Sequence, residues 1–158
     1  MSHTTPTAPT HATILPLTWK THESGDVDGN RVKAAGPVVV EIRPASQYGD
    51  AYQVTRPAPG SFEIFEDRGD YGTCLLDPWS DGHRHGLIRG KADGTLDHLG
   101  SYNTWKAAQF AAAAVAAGYD LTNADDLAEV RRQYQAQEHA KRMRKFDKKH
   151  GLNGLVTR

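Results

Sequence analysis

Between Ile14 and Tyr102, apolar and β-branched residues come in short runs separated by turn-forming residues. Runs of this length with such punctuation predict strands. The expected strands are Leu17–Lys20, Val38–Arg43, Ala51–Thr55, Phe62–Glu66, Thr73–Leu76, Leu87–Lys91 and Thr95–Tyr102. The intervening stretches, Gly25–Asn30, Tyr48–Asp50, Pro57–Gly60, Arg68–Gly72 and Pro78–Gly86, are rich in Gly, Pro, Asp and Asn. Those residues supply the positive φ values and preset turns that chain reversals need. Asp93-Gly94 stands between two extended segments and predicts a type I′ hairpin, with 87–92 antiparallel to 95–102.

Beyond Tyr102 the period changes. Asn103 or Thr104 can cap a helix dominated by alanine, the residue of highest helix propensity, and Gly118 can end it. Trp105, Ala108, Ala112, Val115 and Ala116 fall on one face, which is expected to lie across the sheet. A second helix is expected from the Thr122/Asn123 cap, with Asp125 and Asp126 in its first turn, where the helix dipole favours acids. Leu127, Val130 and Tyr134 form its apolar stripe. The next positions on that stripe are Gln137, Glu138 and Lys141, so the helix is expected to dock through its first turns and project beyond them. Together these features predict an α+β fold: a twisted, mainly antiparallel sheet packed on an Ala-rich helix, followed by a basic projecting helix. The expected organisation is a disordered tail over 1–13, an α+β domain over 14–119 and a basic helical extension over 120–158.

Charge sharpens the reading of the last segment. The chain holds 19 Lys+Arg and 19 Asp+Glu, yet the two signs are sorted along it. Residues 1–130 carry a net −7 and residues 131–158 a net +7. Such asymmetry points to a partner for the tail. Arg131, Arg132, Lys141, Arg142, Arg144, Lys145, Lys148 and Lys149 are the candidate nucleic-acid-binding residues, because clustered cations on a helix neutralise phosphates and release counterions. Met143 and Phe146, among them, could stack on bases or face a protein. The alternative is an assembly module whose basic tail docks on an acidic protein surface, including that of another copy.

Other chemistry is sparse. His83, His85 and His98, with Asp81 and Asp97 nearby, are the candidate metal ligands for a metal-dependent enzyme, the third reading; the expectation is surface histidines, no metal and no cofactor. Glu63, Glu66, Asp67 and Asp70 read as a solvated acidic patch. No P-loop, G-x-S-x-G elbow or dinucleotide-binding glycine pattern is present. Cys74 is the single cysteine, so it rules out an internal disulfide and reads as core. Trp19, Trp79 and Trp105 read as core or core-edge, with Trp79 the most exposed. The longest apolar run, Phe110–Ala117, is far shorter than the ~20 residues of a membrane span. The first 13 residues lack the basic and apolar regions of a secretory signal, and a cytoplasmic location is expected.

The run from Asp93 to Gly118 resembles a unit of small phage and mobile-element proteins, in which a hairpin leads into a strand ending LG-x-[YF]-x-[ST] and then an Ala-rich helix. Leu99, Gly100, Tyr102 and Thr104 carry the match. The arm-type DNA-binding domains of tyrosine integrases are similar in this stretch. The resemblance implies the sheet-then-helix layout and an accessory role in a phage or mobile element, inside the host cell. The sheet of that family is basic. Here the hairpin mixes Arg84, Arg89 and Lys91 with Asp77, Asp81, Asp93 and Asp97, so DNA reading by the sheet is not implied.

Overall fold

The computed structural model describes residues 13–25, 31–44, 49–67, 74–76 and 84–150. Over these, the chain forms seven strands and two helices: β1 (Lys20–Glu23), β2 (Arg31–Ala35), β3 (Val38–Arg43), β4 (Tyr52–Pro57), β5 (Phe62–Asp67), β6 (Arg84–Gly90), β7 (Leu96–Tyr102), α1 (Trp105–Ala116) and α2 (Ala124–His150). Five strands make an antiparallel sheet in the order β1-β2-β5-β6-β7, and β3 and β4 pair as a separate hairpin. This is the α+β architecture expected from the sequence. No described helix is long and apolar enough to cross a membrane.

Strand alternation gives the sheet two faces, and each is covered differently. Ala35, Phe62, Ile64, Leu87 and Tyr102 face α1 and share one cluster with six buried alanines of that helix and with Val130 of α2. Methyl side chains let the helix backbone lie close to the sheet. The buried surface of α1 is wider than a single stripe: Ala107, Ala111, Ala113 and Ala114 are buried as well as Ala108 and Ala112. Ala116, expected on the buried face, is exposed. The second face carries Val32, Ala34, Glu63 and Ile88, all buried although none is paired with α1 in the main cluster except through the sheet itself. The β3–β4 hairpin covers this face through β4, whose Val54 and Thr55 are buried.

Local signals explain the helix ends. Thr104 takes an extended conformation and its hydroxyl accepts from the Ala107 N–H at 3.0 Å. At the other end, Gly118 has φ +105°, its N–H reaches the Val115 carbonyl, and the Tyr119 N–H reaches the Ala114 carbonyl. That pair of bonds is a Schellman motif, which needs a left-handed residue at this place. Asn123 caps α2 by accepting from the N–H groups of Asp125 and Asp126, both at 3.0 Å.

Several sequence expectations are corrected. The first strand is Lys20–Glu23 instead of Leu17–Lys20, because Ile14, Leu17 and Trp19 pack onto the core from an irregular segment. β2 lies where no strand was expected, since its Arg-Val-Lys-Ala-Ala run lacks a strong β signal. Of the expected strand Thr73–Leu76, the described residues 74–76 form an isolated bridge between Cys74 and Ser101 and no strand, though Cys74 is buried. The β6–β7 hairpin is antiparallel as expected, but its turn is not the two-residue I′ form. The Gly94 N–H bonds the Lys91 carbonyl, the Lys91 N–H bonds the Thr95 carbonyl, and Gly94 has φ +86°. A turn closed by a left-handed glycine is the three-residue alternative. The Leu99-Gly100 pair is a β-bulge: Gly86 pairs with Ser101 but Ile88 with His98. Gly100 has φ +107°, a Cβ there would strike Leu75, and the Tyr102 hydroxyl donates to the Leu99 carbonyl at 2.6 Å. The LG-x-Y residues therefore build a bulge.

Candidate nucleic-acid interface

The candidate basic residues divide into two groups along α2. Arg131 and Arg132 lie in its docked part. The Arg131 Nε donates to the Leu75 carbonyl at 2.7 Å, which ties α2 to the 74–76 segment. Arg132 makes a two-point ion pair with Glu129 at 2.6 and 2.8 Å. Both guanidinium groups are thus held by their own chain. Lys141, Arg142, Arg144, Lys145, Lys148 and Lys149 lie farther along and are all exposed.

The docked part is held by apolar packing first. Val130 is fully buried, Leu127 and Tyr134 pack on the main cluster, and the Tyr134 and Phe110 rings lie 5.3 Å apart. Gln133 donates to the Tyr119 hydroxyl at 3.3 Å. Lys106 and Glu138 form the outermost of these links at 3.7 Å. Past Glu138 the helix continues for twelve residues, about 18 Å at 1.5 Å per residue.

Helical geometry then orders the cations. At 3.6 residues per turn, the six basic residues of 141–149 occupy an arc of ~160°. Met143, Phe146 and Asp147 fill the opposite side. The basic arc continues the docking stripe: Leu127, Tyr134, Lys141 and Lys148 are spaced by seven, as are Val130, Gln137 and Arg144. Core positions become cationic once the helix leaves the body, so the charges face the body's side. Lys141 accordingly borders a cleft of about 410 Å³ with Lys106, Gln109, Phe110 and Trp19. The heptad spacing was readable in the sequence. Which side it faces was not, because that depends on where the body lies.

The two described histidine candidates, His85 and His98, do not converge. His83 lies outside the described residues. His85 is buried, with its ring edge-on to Trp105 at 4.6 Å. His98 pairs with Ile88, an odd number of residues from His85 on β6, which sets His98 on the opposite face. Among the described residues no group of three His, Cys, Asp or Glu could hold a metal ion. Trp79, Asp70, Asp77 and Asp81 also fall outside the described residues.

Glu63, expected as a solvated acid, is 3 % exposed. Its place on β5 turns it toward the β3–β4 hairpin. Burial there raises its pKa to about 7, while the nearby Thr55 side chain pulls in the opposite direction. Glu63 Oε2 and Thr55 Oγ1 are both buried with no hydrogen-bond partner. Sequence reasoning missed this acid because strand alternation alone did not reveal a second covering layer.

A groove of about 540 Å³ runs between β7 and the α1–α2 loop. Four of its lining residues are engaged in pairs: Arg89 pairs with Asp97 at 3.1 Å, and Asp120 accepts from the Thr122 N–H and hydroxyl.

No protein-family model matches the chain, and neither the curated proteins nor the solved structures contain a significant match.

Proposed function

We propose that this protein binds nucleic acid, gripping the phosphate backbone with the distal part of α2, and serves as a cytoplasmic accessory factor of a phage or mobile element. The observation that carries the reading is the segregated arc of Lys141, Arg142, Arg144, Lys145, Lys148 and Lys149 on an exposed length of helix, with Asp147 turned away. Cations presented together displace condensed counterions from phosphates, and this term is independent of sequence. Lys and Arg in such positions orient a protein on its nucleic acid without reading bases. The accessory role rests on the likeness of the segment from Asp93 to Gly118 to phage and mobile-element proteins.

The test is the salt dependence of binding by the full chain. With about three to five phosphates engaged, the log–log slope on duplex DNA is expected between about −2.7 and −4.5. Arg144 and Lys148 lie one turn apart, and replacing both with Ala should lower the slope by about two contacts' worth, equally across sequences. No binding to duplex or single strands at low salt would overturn the proposal.

One observation favours a second reading. Met143 and Phe146 are 46 % and 49 % exposed on the face opposite the cations. Large apolar side chains beside a basic arc also suit an acidic protein partner, for which salt would weaken association and loss of the tail would abolish it.

A further inference from the structure

The most concentrated exposed apolar surface lies on β3, far in sequence from the basic helix. Ile42 is 65 % exposed, Val40 52 % and Val39 39 %. β3 pairs with β4 on one side, and among the described residues no strand lies along its other edge. The direction of its backbone groups follows from the outer neighbours of β4. The Gln53 carbonyl accepts from the Gly25 N–H at 2.7 Å, and the Thr55 N–H donates to Ser24 Oγ at 3.2 Å. Gln53 and Thr55 therefore point their backbone groups away from β3. Their ladder partners, Ile42 and Val40, occupy non-hydrogen-bonded positions and direct their own N–H and C=O groups to the open edge. Between the flanking Pro37 and Pro44, β3 has no lysine, proline or bulge to blunt that edge. Such a strand is a template for strand addition.

We propose that β3 pairs antiparallel with β3 of a second copy, about a two-fold axis at Ile42. Four registers pair three or more residues of β3 with β3 of the second copy and set outward-facing residues opposite one another, and the one centred on Val39 leaves Glu41 opposite Pro37 and Arg43 opposite Ala35. The register centred on Glu41 places two carboxylates directly against each other, which is unfavourable. The register centred on Val40 sets each Glu41 against a valine and leaves Arg43 opposite Pro37. The register centred on Ile42 sets Glu41 opposite Arg43 of the second copy, twice, brings the two Ile42 side chains together, and leaves each Val40 opposite Pro44, whose carbonyl can still accept although it has no N–H to give. Within one chain Glu41 already pairs with Arg43 at 3.5 Å and with Arg56 at 3.8 Å; the Ile42 register extends this into an alternating network across the two copies, and charge complementarity thus selects it. Each β3–β4 hairpin becomes half of a four-stranded sheet. The paired surface is small, so the dimer forms reversibly with rising concentration. It does not depend on nucleic-acid binding.

Analytical ultracentrifugation of the full chain tests this across concentration. The wild type should pass from monomer to dimer, and the Val40→Lys/Ile42→Lys variant should dimerise about ten-fold more weakly or not at all, with unchanged circular dichroism. Under mild oxidation, Ile42→Cys should form a disulfide-linked dimer. Val40→Cys should not, because four residues of offset separate the two copies of residue 40 by about 13 Å, too far for a disulfide. Cys74 is buried, so the wild type serves as the control. A wild type that stays monomeric, a double-lysine variant that dimerises as well as the wild type, or cross-linking through Val40→Cys in place of Ile42→Cys would each overturn the proposal.

Discussion

Replacing Glu63 with Gln should remove a pH dependence of stability that the buried carboxyl causes. The carboxyl is enclosed between the five-stranded sheet and the β3–β4 hairpin, and burial lifts its pKa from 4.5 to about 7. The folded state therefore holds a proton that the unfolded chain releases between these two values. Below about pH 4.5 both states are protonated and the acid causes no charge penalty. As pH rises toward 7 the unfolded state ionises first, so stability falls; above 7 the folded state also ionises and the loss levels off. Between pH 5 and pH 8 the two pKa values give a loss of at most about 2.5 kcal/mol. Glutamine keeps the shape and one polar end but does not titrate. Its unpaired amide costs about 1–3 kcal/mol at every pH, so the difference between variant and wild type across pH isolates the carboxyl. Urea denaturation of both proteins at pH 5 and pH 8 measures it. The variant should gain on the wild type by up to about 2.5 kcal/mol between those conditions. Equal pH dependence in the two proteins would refute the buried ionisation.

Gly100→Ala should lower the melting temperature by an amount equivalent to about 1–2 kcal/mol or more, since alanine resists the left-handed region and its methyl would strike Leu75. Val130→Ala should cost about 2 kcal/mol, whereas removal of 141–158 should leave thermal unfolding nearly unchanged, because none of residues 141–149 is buried and all but Asp147 are exposed. Chelator should not shift the melting temperature of the wild type or of a His98→Ala variant, and a shift in the wild type alone would restore the metal-site reading.

Signals confined to a few neighbouring residues were legible in the chain. Thr104, Gly118 and Asn123 mark the helix ends because each supplies a bond or a φ value that the local backbone requires. The alternating run of β3 and the stripe of Leu127, Val130 and Tyr134 follow from the strand and helix periods. The sorting of charge, and hence the candidate interface on α2, is also a property of sequence alone. Decisions that depend on a second element were not legible. Strand alternation places Glu63 on a face, but only the β3–β4 hairpin makes that face dry. β2 has weak intrinsic preference and exists because β1 and β5 supply its hydrogen bonds on both sides. His85 and His98 look adjacent along the hairpin, yet the pleat sets them on opposite faces. Arg131 reads as one more cation of the tail until folding brings the Leu75 carbonyl to it across 56 positions of chain. In each case free energy depends on what covers or bonds a group, and that is decided by parts of the chain distant in sequence.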